Sequence, residues 1–60
     1  MDVEEAIAYF GGVSATARKL KIKQPAVSRW RRNGLIPWLR QLQIERVTRR
    51  KLKADAEEEE

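Results

Sequence analysis

Three residues, Lys21-Ile22-Lys23, separate two short helix-forming segments, and this spacing constrains the fold more than any other feature of the chain. Upstream, the segment from Val13 to Leu20 contains Ala15, Ala17, Arg18, Lys19 and Leu20, all good helix formers, with Ala17 and Leu20 on one side. Downstream, a helix is predicted to begin near Gln24, because Pro25 is tolerated in a first helical turn, where its missing N–H goes unused. At about 100° per residue, Ala26, Val27 and Trp30 gather on one side of that helix, and Pro25, Ser28, Arg29 and Arg32 fall on the other. Two helices joined by so brief a turn cross at close range, which requires a small residue in the first and apolar pegs to lock the second. Ala17 is the small contact, and Leu20, Ile22, Val27 and Trp30 are the pegs. The expectation is a helix-turn-helix unit over residues 13–32, with Trp30 in the core rather than exposed as a stacking platform.

The flanks are predicted to be helical as well. Asp2 followed by Glu5 fits a capping box, Val3, Ala6, Ile7 and Phe10 form one apolar stripe, and Gly11-Gly12 ends a first helix over Val3 to Phe10. Asn33-Gly34 marks a turn, and Ile36-Pro37 opens a fourth helix whose apolar positions are Leu39, Leu42, Ile44 and Val47. No breaker follows Pro37, so this helix is expected to run past Arg49 and Lys51 towards Ala56. The fold class expected is all-α, four to five helices, in one domain spanning residues 1–56. Glu57 to Glu60 read as a disordered, solubilising acidic tail.

Sixty residues bury only about 60% of the surface of the unfolded chain, so the core is small and a large enclosed active site has no room. The absence of Cys and His removes disulfides, thiol nucleophiles, imidazole bases and zinc sites built on those ligands. All carboxylates but Glu45 sit at opposite ends and no Gly-rich phosphate loop is present, so an enzyme is the weakest reading, and no cofactor, metal or small-molecule ligand is expected. No apolar run approaches the roughly 20 residues of a membrane span, and the acidic N-terminus does not fit a signal peptide. The default expectation is the cytoplasm.

Net charge is +4, but its distribution says more than its sum. All 13 Lys and Arg lie between Arg18 and Lys53, and Glu45 is the only acidic residue in that window. Such segregation is the footprint of a protein that meets a polyanion. The outer face of the third helix suits duplex DNA: Gln24 matches adenine and Arg29 matches guanine in bidentate fashion, Ser28 reaches a base or a phosphate, and Pro25 touches a thymine methyl. Lys23, Arg31 and Arg32 are the candidate phosphate contacts. Arg46, Arg49, Arg50, Lys51 and Lys53 are read singly as a solvated face that strengthens the field. A competing class is a protein-interaction module, antitoxin-like, that uses the same helices to hold another protein.

The run Ala17-Arg18-Lys19-Leu20, then Ile22, then Gln24-Pro25-Ala26-Val27-Ser28-Arg29-Trp30 resembles the Cro family of phage repressors and the related YdaS-type prophage regulators. Ile36-Pro37, Arg40 and Ile44-Glu45-Arg46-Val47-Thr48 resemble the segment that follows, so the likeness covers residues 7–48. It implies a homodimeric transcriptional repressor on a short, roughly palindromic operator, with Gln24, Pro25, Ser28 and Arg29 at the bases and Lys23 and Arg32 nearer the phosphates. Three features depart from the pattern. Lys21 stands where the tight turn usually has Gly, Val13 replaces a polar residue, and Arg49-Arg50 replaces an expected Gly-containing turn or marks a deletion. Relatives end either in helices or in a β-hairpin; helix is expected here, with an α+β fold as the alternative. Trp38 and Leu52 lie outside the predicted core stripe and are the expected dimer contacts.

Overall fold

The computed structural model describes residues 1–55, and the tail over 57–60 falls outside them. Four helices follow one another: α1 over Val3–Phe10, α2 over Val13–Leu20, α3 over Gln24–Asn33 and α4 over Trp38–Val47. Among the described residues there is no strand, so the all-α expectation holds and the hairpin alternative is not realised.

Local sequence explains the first three helices. The Asp2 carboxylate accepts from Glu5 N at 2.9 Å, which satisfies one of the free donors of the first turn of α1. Gly11, at φ 101°, ends α1 in the left-handed conformation that only glycine adopts without strain. α2 starts at Gly12, whose carbonyl accepts from Thr16 Oγ1 at 2.7 Å as well as from Thr16 N at 2.9 Å. α2 ends on Lys21 at φ 59°, and Ile22 N donates back to Ala17 O at 2.9 Å in a Schellman-type closure. Left-handed geometry costs a non-glycine residue roughly 1–2 kcal/mol, so Lys21 holds its turn under strain.

The core gathers the inner sides of all four helices around Leu20, Val27, Trp30, Ile36 and Ile44. Thr16 is fully buried, its hydroxyl satisfied by Gly12 O. Ile22 packs against this cluster from the turn, as expected of a peg.

The fourth helix departs from expectation in two ways. Its inward face is Gln41 and the expected Ile44, continued by the C-cap Thr48, and not Leu39, Leu42 and Val47; Leu39 is 76% exposed. Gln41 tolerates burial because both ends of its amide are used: Nε2 donates to Ile36 O at 2.8 Å and Oε1 accepts from Asp55 N at 3.0 Å.

The helix also stops at Val47 instead of running on towards Ala56. Arg49 and Arg50 adopt φ 55° and 68°, and Arg50 N reaches Glu45 O at 2.7 Å, which turns the chain back. Leu52 then enters the core at 7% exposure, its N–H donating to Thr48 Oγ1 at 3.1 Å. Burying a leucine yields about 1.5–3 kcal/mol, of the same order as the strain of the two left-handed arginines. This corrects the assignment of Leu52 to a dimer surface, because its side chain is consumed within its own chain. Trp38, the other expected contact, is half-buried at the start of α4.

Candidate nucleic-acid interface

α3 separates its two faces cleanly. Val27 is 0% and Trp30 4% exposed, locked against α2 beside Ala17 and Leu20, whereas Gln24, Pro25, Ser28, Arg29 and Arg32 are all exposed. The structure therefore brings the four candidate base-reading residues, Gln24, Pro25, Ser28 and Arg29, together with Arg32 on one accessible surface. Lys23, extended at φ −85°, stands exposed at the start of this helix. α2 and α3 each lack a side-chain hydrogen bond at the N-cap, which leaves first-turn N–H groups for an anion. At Val13, which has no side-chain donor, that backbone contribution is the only one available.

Arg31 is placed differently. It lies on the flank of α3 towards α1, and its Nε donates to Glu4 Oε2 at 3.1 Å, with both side chains largely exposed. No local pattern announces this pair, because its members are 27 residues apart.

One residue of this surface escaped the sequence reading. Arg40, half-buried in the first turn of α4, lines a groove of about 560 Å³ together with Arg29, Asn33 and Leu35. Its Nη1 donates to Gln43 Oε1 at 2.6 Å, and Gln43 Nε2 donates in turn to Leu20 O at 3.1 Å, a carbonyl in the last turn of α2. The guanidinium is thereby held beside α3. The i, i+3 spacing of Arg40 and Gln43 was the available signal.

Fold and surface together define a helix-turn-helix DNA-binding domain. The chain matches the P22 Cro family, described as DNA-binding transcriptional regulator Cro, over residues 2–60, and it belongs to that family. Among solved structures it is similar to N15 Cro complexed with consensus operator DNA, at 42% identity and a TM-score of 0.85, covering 92% of this chain and 87% of that one. No curated protein matches.

Proposed function

We propose that this Cro-family regulator is a repressor that binds a short, two-fold symmetric operator as a homodimer. α3 enters the major groove, where Gln24, Pro25, Ser28 and Arg29 read base edges. Lys23, Arg32 and the first-turn N–H groups of α2 and α3 fix the register on phosphates, and Arg31 is shared between Glu4 and the backbone. The observation that carries this reading is the division of α3 into a sealed Val27–Trp30 face and an exposed Gln24–Ser28–Arg29 face. The operator-bound state of the similar N15 Cro structure supports it.

For the dimer, the exposed apolar face of α4 is the better surface. Leu39, Leu42 and Val47 line a shallow groove there with Gln43 and Arg46, and Leu39 is 76% exposed. Two copies joined through this face would offer their α3 helices to successive major grooves about 34 Å apart. Repression follows from occupying a promoter in the bacterial cytoplasm.

Selection of bound sequences from a random duplex library tests the reading. A palindromic enriched motif is expected, with one position flattened when Arg29 is replaced by Ala. Enrichment of no motif, or of an identical motif with Arg29→Ala, overturns the assignment of α3 as reader.

A further inference from the structure

Among the described residues three other than glycine have a left-handed backbone, Lys21 at φ 59°, Arg49 at φ 55° and Arg50 at φ 68°, and all three are cationic. Glycine adopts this conformation without strain, so each position carries a charged side chain where the backbone favours none. Lys21 follows α2 and Arg49 follows α4, yet both line a single groove of about 890 Å³.

Arg18, Lys19 and Lys51 complete the cationic rim of that groove, and Tyr9 and Phe10 supply its apolar wall. The Tyr9 and Phe10 rings meet edge to face, with centroids 5.4 Å apart at 88°. Among the described residues no acidic side chain lines the groove, and none of its five cations has a carboxylate partner. No residue of α3 contributes, so the groove is separate from the α3 face proposed to read bases.

We infer that this groove is a second binding site, which takes an acidic peptide segment of a protein partner that also carries an apolar side chain. Five cations held close together repel one another, and an anionic segment relieves that repulsion. The apolar wall decides between polyanions. A phosphate backbone presents nothing to Tyr9 and Phe10, whereas a peptide of Asp and Glu interrupted by one Phe or Leu satisfies rim and wall together.

The probe is a fluorescently labelled octapeptide of alternating Glu and Asp around one central Phe, titrated by anisotropy against the full chain at about 50 mM salt. The double substitution Lys21→Gly/Arg49→Gly is expected to raise the melting temperature, because strain is released, and to weaken peptide binding about tenfold, because two rim charges are lost. Lys21→Asn/Arg49→Asn, which also tolerates the left-handed conformation, should weaken the peptide similarly. Replacing the central Phe of the probe with Gly should weaken it several-fold.

Equal peptide affinity in wild type and both variants overturns the inference, as does displacement of the peptide by an equimolar operator-sized duplex. Tighter binding of an eight-nucleotide oligothymidylate than of the peptide would assign the groove to single-stranded nucleic acid instead. A tenfold gain in peptide affinity on changing Glu57, Glu58, Glu59 and Glu60 to Gln would make the chain's own tail the occupant. Each of these results leaves the operator selection to stand or fall separately.

Discussion

Gln43 Nε2 donates to the carbonyl of Leu20 at 3.1 Å, so α4 is tied by a side chain to the last turn of α2. The bond satisfies a carbonyl that a helix end otherwise leaves to solvent, and it fixes the Gln43 amide with its oxygen towards Arg40 at 2.6 Å. A guanidinium on a flexible stem thereby acquires a set position next to Arg29. The link runs from chain chemistry to site geometry through one amide.

Arg40 should therefore behave as a phosphate contact. Arg40→Ala is expected to weaken binding to all duplex sequences alike, with the magnitude of the log–log salt slope smaller by about 0.9, the value for one phosphate neutralised. Gln43→Met keeps the charge and loses its positioning, so affinity should fall by a smaller factor with the slope unchanged. Titrations at several salt concentrations separate the two. An unaltered slope in Arg40→Ala would remove Arg40 from the interface.

Leu52 and Leu39 make opposite predictions. Leu52→Ala empties a site that is 7% exposed and should lose about 2–4 kcal/mol of stability, a large fraction of what so small a domain has. Leu39→Ala, at 76% exposure, should change the stability of the monomer by less than about 0.5 kcal/mol and shift self-association to higher concentration. Chemical denaturation and equilibrium sedimentation measure the two effects. A dimer unaffected by both Leu39→Ala and Leu42→Ala would place the interface elsewhere.

The contrast between these leucines also marks where the sequence stops being legible. Asp2, Gly11-Gly12, Pro25 and Asn33-Gly34 act within a turn of their own positions, so the bounds of α1, α2 and α3 and the two faces of α3 could be read directly. The inner face of α4 could be read only at Ile44, because the other buried residues there, Gln41 and the C-cap Thr48, are polar. Gln41 is satisfied by Ile36 O and by the distant Asp55 N, a solution that apolar periodicity does not register. The end of α4 was hidden for a related reason, since arginine twice occupies backbone geometry that normally announces itself with glycine.

Glu45 is the acidic exception in the basic body, and its role is structural. Oε1 accepts from Ala54 N at 2.9 Å and Oε2 pairs with Arg50 Nε at 3.4 Å, so one carboxylate holds both ends of the returning segment. Glu45→Ala is expected to cost about 1 kcal/mol after allowance for solvent screening, and to speed hydrogen exchange at Ala54 N. Glu45→Gln keeps the acceptor for Ala54 and should cost less. Equal protection of Ala54 in wild type and Glu45→Ala would contradict the anchoring role.

The Glu4–Arg31 pair predicts a gain of function from losing a charge. Both side chains are more than half exposed, so the pair adds little stability, and Glu4→Gln should leave the melting temperature almost unchanged. On the DNA side the effect has a definite sign. Arg31 shares α3 with the residues proposed to read bases, and a carboxylate 3.1 Å from its Nε both competes for the guanidinium and repels phosphate. Freed of Glu4, Arg31 should raise duplex affinity about threefold near 50 mM salt, and the gain should shrink as rising salt screens the interaction. The same substitution combined with Arg31→Ala should give no gain beyond a small through-space term, because the released donor is absent. Equal gains with and without Arg31 would mean that Glu4 acts only through the overall field.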